Sequence, residues 1–206
     1  MATGTRNALG SGRTVFHSAE SAQPRMRLKD YDNRDFDRGA PLWKEALWIM
    51  VKTIFFLSPV PWPSGLRLEL LRLFGARVGR GVVIRSQVNI TFPWRLTVGD
   101  DVWIGEETLI LSLAPVTLES DICISQRAFL CTGSHDFRAP AFDLVTKPIT
   151  VRRGCWIAAQ AFIAPGVEIG EGSMVSAGSV VLTSVPPRTL VRGNPAAVVK
   201  EWTAPA

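Results

Sequence analysis

The chain has 206 residues, 47% of them hydrophobic and 20% charged, and a formal net charge of +5. That length suits one sizeable domain with an attached segment, and the composition is that of a soluble globular protein. The mild positive charge is compatible with a phosphate-bearing ligand or an anionic surface, whereas the absence of a basic run with interleaved aromatics argues against a nucleic-acid partner.

From Met1 to Asp37 the chain is polar and without periodicity, which predicts a loose arm over 1–40. No apolar signal-peptide core follows the start, so no export is expected. Pro41 to Leu57 reads PLWKEALWIMVKTIFFL. It is very apolar, but too short and, with Lys44, Glu45 and Lys52, too charged for a membrane span, which needs about 20 apolar residues. A helix here, carrying Trp43, Trp48, Phe55 and Phe56, either packs on protein or lies at a lipid interface as a peripheral membrane contact through 41–57. Pro59-Val-Pro-Trp-Pro63 ends it. Ser64 is placed to cap a second helix with Leu66, Leu70, Leu73 and Phe74 on one stripe, Arg67, Glu69 and Arg72 on the other face, and Gly75 as its stop. A helical segment over 41–76 is expected.

A step of six then takes over. Val78, Ile84 and Ile90 set it, Phe92-Pro-Trp-Arg95 interrupts it by two residues, and it resumes through Val98, Ile104, Ile110, Val116, Ile122 and Ala128. After an excursion from Ser134 to Thr150 it restarts as Val151, Ile157, Ile163, Ile169, Val175 and Val181, with Cys155, Ala161, Val167, Ser173 and Ser179 four residues further on in each unit. Helices repeat near 3.6 and strands at 2, so a sustained six fits neither alone. It fits a mainly β fold, a parallel β-helix in which each hexapeptide is a short strand and a turn, and three hexads make a coil. About five coils are expected over 77–186, with an extruded loop at 134–150 and a tail at 187–206 that leaves the solenoid. The three cysteines, Cys123, Cys131 and Cys155, have neither zinc-site spacing nor an even count. Buried apolar packing in a reducing cytoplasm suits them.

Several stretches resemble the hexapeptide-repeat acyltransferases, and within them the colanic-acid-biosynthesis type of O-acetyltransferase: Leu71-Arg-Leu-Phe-Gly-Ala76, Phe92-Pro-Trp-Arg-Leu96, Ile124-Ser-Gln126, Cys131-Thr-Gly-Ser-His-Asp136, Gly166-Val-Glu-Ile-Gly170 and Gly193-Asn-Pro-Ala196. The resemblance covers about residues 40 to 200. It implies a left-handed helix, a homotrimer with active sites between neighbours, acetyl-CoA as acyl donor, no metal, and a sugar or glycan-precursor acceptor. It also implies that His135, one of only two histidines, is the general base. A sugar hydroxyl needs such a group to take its proton as it attacks a thioester.

Asp136 would bind an acceptor hydroxyl or orient the imidazole, or else serve as a turn residue; Asp143 and Glu106 are further orienting candidates. Trp156 matches a position where related sugar acetyltransferases keep a tryptophan beside the acceptor, with core or interface packing as the alternative. Ser134 or backbone N–H groups would serve the oxyanion. Ala159 and Ala177 match positions beside the pantetheine arm, and Arg192 and Lys200 are candidates for the CoA phosphates. Two departures stand out: Thr183 where a lysine often follows the Gly-Ser-x-Val segment, and Leu111-Ser112-Leu113 where relatives often place an asparagine. The competing readings are N-acylation of an amino sugar, a non-catalytic scaffold, and a zinc enzyme of the β-helix carbonic-anhydrase type. The last needs three histidines on the metal, where this chain offers His17 and His135.

Overall fold

The structure, a computed structural model, describes residues 26–203; His17 and the first 25 residues of the arm lie outside them. Helices α1 (Leu42–Phe55) and α2 (Ser64–Leu73) come first. The first coil holds β1 (Arg77–Val78), β2 (Val83–Ile84) and β3 (Asn89–Ile90), and the second β4 (Leu96–Val98), β5 (Trp103–Ile104) and β6 (Leu109–Leu111). The third holds β7 (Val116–Leu118), β8 (Cys123–Ile124) and β9 (Phe129–Cys131), from which a hairpin of β10 (Gly133–His135) and β11 (Leu144–Thr146) leaves the solenoid. The fourth holds β12 (Ile149–Val151), β13 (Trp156–Ile157) and β14 (Phe162–Ile163), and the fifth β15 (Glu168–Ile169), β16 (Met174–Val175) and β17 (Val180–Val181). A partial sixth turn follows, with β18 (Thr189–Gly193) and then β19 (Ala196–Glu201).

Corresponding strands of successive coils pair in parallel, giving three sheets around a triangular, left-handed β-helix. Sheet A runs β1-β4-β7-β12-β15, sheet B β2-β5-β8-β13-β16-β18 with β19 at its edge, and sheet C β3-β6-β9-β14-β17. The pairing is in register, so inward residues stack in columns. Ile84, Ile104, Ile124, Ile157, Val175 and Val191 form one, and Ile90, Ile110, Leu130, Ile163 and Val181 another. All of them are buried in one continuous core. Burying each such side chain is worth about 1.5–3 kcal/mol, and no coil could bury its face without a neighbour. The corner between sheets B and C needs a left-handed residue in every coil, met by Gln87, Glu107, Arg127, Gln160 and Gly178 with φ of 59 to 67°.

The structure corrects the phase of the repeat in the middle of the chain. From Ile110 the next column residue is Leu118, paired with Val98, and Ile124 and Leu130 follow. Val116, Ile122 and Ala128 are buried too, but at other inward positions. Gln126, exposed, lies at a corner. The cause of the changed phase is a second two-residue insertion, at Ser112 to Pro115. It lies at the corner between sheets C and A, as does the Phe92–Arg95 interruption in the coil before.

Four further expectations change. Residues 26–40 run along that C–A corner rather than hanging loose: the Trp94 indole donates to the Arg38 carbonyl (2.7 Å), Phe36 stacks on Phe92, and the Arg27 N–H donates to the Pro140 carbonyl (2.9 Å). The segment expected to leave as a tail continues sheet B through β18 and folds back antiparallel as β19. Ser64 does not cap α2; its hydroxyl accepts the Ile84 N–H at 2.8 Å, tying the helix to the first coil. Arg67, expected on the polar face, is buried and donates to the carbonyls of Phe55 (2.9 Å) and Ile84 (3.4 Å). Gly75, at φ +99°, stops α2 as expected.

The helices close the open end of the first coil. Trp48, Phe56, Leu68, Leu71 and Phe74 join the solenoid core, and the Trp48 indole donates to the Ile90 carbonyl at 3.0 Å. Among the described residues no helix is long and apolar enough to cross a membrane.

Cys155 points inward, and burial pushes its thiol up to about 11; burial raises that of Cys131 as well. Two units lower the thiolate fraction about 100-fold. Alkylation at pH 8 should therefore spare Cys155 in the folded protein and reach it in urea, with mass spectrometry of labelled peptides as the readout. Equal labelling in both states would contradict the inward placement.

Candidate functional site

The C–A corner carries a two-residue insertion in each of the first two coils, and in the third the chain leaves it as the β10–β11 hairpin. Polar side chains build its base. The Ser112 hydroxyl accepts the Phe92 N–H (2.8 Å) and donates to the Phe92 carbonyl, while Thr132 donates to the Leu111 carbonyl (2.6 Å) and accepts the Ala114 N–H (2.9 Å). Both side chains are fully buried and satisfied, so this corner is rigid where an ordinary loop would not be.

His135 ends β10, opposite Leu144 of β11. Its Nδ1 lies 2.8 Å from the Phe142 carbonyl oxygen, and its ring stacks on that of Phe142 (centroids 4.2 Å apart, 2° between planes). Tyr31 of the arm meets the imidazole edge-on at 5.4 Å. A carbonyl can only accept, so Nδ1 is the donor, and in the neutral imidazole Nε2 is the nitrogen with the lone pair. Phe142 has φ +56°, a left-handed backbone that a bulky residue adopts only under constraint.

None of the three carboxylates expected to orient the imidazole has its oxygens on it; the Phe142 carbonyl takes that place. Asp136 accepts the Arg138 N–H through Oδ1 (2.9 Å), the turn role, and its own N–H donates to the Asp143 carbonyl (2.9 Å). Asp143 lines a cleft between hairpin and arm with Asp32, Asn33, Asp35 and Thr146. Glu106 is remote, at the B–C corner, paired with Arg85 at 3.7 Å. Ser134 precedes His135 on a strand, where neighbouring side chains point to opposite sides, so its hydroxyl is turned away from the imidazole. Phe142 and Tyr31 are missing from the expectations, and Ser112 figured there only as part of Leu111-Ser112-Leu113, where relatives often place an asparagine.

Ala159 and Ala177 occupy equivalent turns of the fourth and fifth coils at the B–C corner, where the Gly178 N–H donates to the Ala159 carbonyl (2.9 Å). Val175 pairs with Val191, so Arg192 follows at the end of the same edge, and the Gly193 N–H reaches the Ser179 hydroxyl (3.2 Å). Lys200 lies on β19, opposite Leu190. Trp156 projects from sheet B, 47% exposed, its indole donating to the Ser125 hydroxyl (2.9 Å). Within one chain it is on a different face from the hairpin.

Residues 148–183 match the family described as bacterial transferase hexapeptide (six repeats). The chain is 45% identical over 168 residues to an Escherichia coli (strain K12) acetyltransferase, WcaF, assigned by its name to colanic acid biosynthesis; the match covers 80% of this chain and 90% of that one. The protein is a hexapeptide-repeat acetyltransferase. A hexapeptide-repeat acetyltransferase from Vibrio cholerae superposes with a TM-score of 0.73 at 26% identity, over 86% of this chain and 98% of that one. Its complex with acetyl-CoA gives 0.70 at 27% identity, over 79% and 89%. Galactoside O-acetyltransferase from E. coli is 27% identical over 139 residues, 66% of this acetyltransferase and 68% of its relative.

Proposed function

We propose that this acetyltransferase moves the acetyl group of acetyl-CoA to a sugar hydroxyl of a glycan or exopolysaccharide precursor, with His135 as general base. The observation that carries the reading is the Nδ1 contact with the Phe142 carbonyl, because it leaves Nε2 free to accept a proton. The acceptor oxygen attacks the thioester carbon as Nε2 takes its proton. The tetrahedral intermediate then expels the CoA thiolate, and the imidazolium returns the proton to sulfur, leaving acetyl ester and CoA thiol. The carboxylates of the arm–hairpin cleft, Asp143 among them, suit acceptor hydroxyls, and so does the second oxygen of Asp136. For the donor, the small side chains of Ala159 and Ala177 leave room for a pantetheine arm along the B–C edge, with Arg192 at its end for phosphate.

A homotrimer fits the outward rows of the three sheets. Sheet A shows Arg77, Thr97, Thr117, Thr150 and Glu168. Sheet B shows Val83, Trp103, Cys123, Trp156, Met174 and Leu190, and sheet C Asn89, Leu109, Phe129, Phe162 and Val180. A ring of identical subunits joins two unlike surfaces and leaves others to solvent. Two apolar faces and one polar face meet that need, and packing sheet C on a neighbour's sheet B brings Trp156 towards the neighbouring hairpin. Light scattering should return the mass of three chains for the native protein and of one for Phe162→Glu; a native monomer with full activity would refute the ring.

The activity itself is tested by CoA thiol release from acetyl-CoA against sugars, nucleotide sugars and amino sugars. Release that responds to hydroxyl acceptors supports the reading. Release only with amino sugars would make the enzyme an N-acyltransferase, and tight acetyl-CoA binding with no release across a broad panel would favour a scaffold.

A further inference from the structure

Helix α1 is apolar on both sides: Trp48, Val51 and Phe55 face the core, and a second apolar row faces outward. Its charged residues are turned to the protein: Lys44 lies over the Trp94 ring (5.3 Å), Glu45 pairs with Arg38 (2.7 Å), and Lys52 is half-buried, its ammonium pKa lowered by burial. Its exposed residues are Leu42, Trp43, Ala46, Leu47, Ile49, Met50, Thr53 and Ile54. Trp43 is 68% exposed and Met50 53%. Trp43, Leu47, Met50 and Ile54 recur at helical spacing and form one stripe. Such a face is more apolar than folding requires, and in soluble proteins it marks a contact surface.

The charge around it is one-sided. From Pro41 to Arg95, the helices and the first coil with its corner, the chain has eight basic residues (Lys44, Lys52, Arg67, Arg72, Arg77, Arg80, Arg85, Arg95) and two acidic ones (Glu45, Glu69), a net of 8 − 2 = +6; Arg67 is buried and Arg85 and Arg95 face Glu106 (3.7 Å) and Asp37 (3.8 Å), so Arg77 and Arg80 are the exposed cations of the first coil that this leaves. The whole chain has +5, so everything else sums to 5 − 6 = −1. Along the sequence, the positive charge is concentrated in the segment that carries the apolar helix. The shape points the same way. A helix of 14 residues offers one convex strip, about 21 Å by 10 Å, far below the ~800 Å² a side of a stable protein–protein interface. It is ample for shallow insertion between lipid headgroups, where tryptophan and aliphatic side chains are at home beside basic residues.

We propose that the outward face of α1 docks the enzyme on an anionic phospholipid surface. It enters the headgroup layer side-on and does not cross. Apolar insertion and the basic first coil act together, so binding needs both. In the ring proposed above, cyclic symmetry puts the three α1 faces at one end, which multiplies the attachment; this clause alone rests on the trimer.

The test is sedimentation of the full chain with vesicles of phosphatidylcholine containing about 30% phosphatidylglycerol, and with phosphatidylcholine alone. The native protein should pellet with the anionic vesicles, less with neutral ones, and less at high salt. The double variant Met50→Glu/Ile54→Glu should lose at least about tenfold in partitioning, with thiol release in solution and circular dichroism unchanged. Arg77→Glu, exposed and far from the stripe in sequence, should weaken binding to anionic vesicles only. The proposal is overturned by native protein that stays in the supernatant with every vesicle. It is also overturned by partitioning that the double variant leaves intact, or by a native assembly that the double variant halves in mass, which would make α1 a contact between copies.

Discussion

If His135 is the general base proposed above, His135→Ala should lower kcat for acetyl transfer by about 10²–10⁴-fold, the usual contribution of such a group, and should leave acetyl-CoA binding unchanged. The size of the effect follows from the site. Nδ1 is tied to the Phe142 carbonyl and Phe142 is stacked on the ring, so the imidazole is held in one tautomer and one orientation. Removing it leaves an unassisted hydroxyl facing a thioester. His135→Asn keeps a polar side chain near the carbonyl without a base and should be nearly as slow. Thiol release at saturating donor and acceptor is the measurement, with circular dichroism to show that the fold survives. Retention of more than about a tenth of the native rate by both variants would remove His135 from the chemistry, since a base cannot be dispensable at that level.

Trp48→Ala should destabilise the protein by about 3–5 kcal/mol, the cost of a large buried aromatic replaced by a methyl group. Trp48 is fully buried against Phe56 (5.2 Å) and Phe74 (5.1 Å), and its indole satisfies the Ile90 carbonyl at the open end of sheet C. Its loss opens a cavity between helix cap and solenoid and strands a buried acceptor. Trp48→Phe separates the two effects: it keeps most of the packing and should cost only about 1–3 kcal/mol for the unpaired carbonyl. Urea denaturation gives both values. A shift below about 1 kcal/mol for Trp48→Ala would mean that the cap and the coils are not one cooperative unit.

What could be read from the chain beforehand divides along physical lines. A period of six imposed on β-branched residues is a strong signal because each column must be filled at every coil, and so Ile157, Ile163, Ile169 and Val175 were placed correctly by counting. Corners carry no such constraint. The two-residue insertion at Ser112–Pro115 looks like continued repeat because Val116, Ile122 and Ala128 are apolar and buried in either phase. Only pairing of Leu118 with Val98 reveals it. The excursion and its histidine were legible by position, while the role proposed for His135 came from the resemblance and not from the residues. Its orienting partner was not legible. A search for carboxylates is natural from sequence, but the partner is a main-chain carbonyl, turned by the backbone of Phe142, and every residue has a carbonyl. Arg67 went astray for a similar reason: its charge suggested water, while its donors found the carbonyls of Phe55 and Ile84.

A parallel solenoid has no natural length. Each coil is a template for another, and an uncovered last coil would accept the first coil of a second molecule, the start of a fibril. Here the chain reverses direction at the far end. β19 runs antiparallel to β18, with Lys200 and Glu201 exposed along the outer strand, and Pro186 and Pro187 follow the last residue bridged to sheet A and offer no N–H for a further partner. With helices at one end and a reversed, charged strand at the other, the number of coils is set by the two terminators. The repeat between them could be lengthened or shortened by whole turns, and evolution could resize the molecule without disturbing either end.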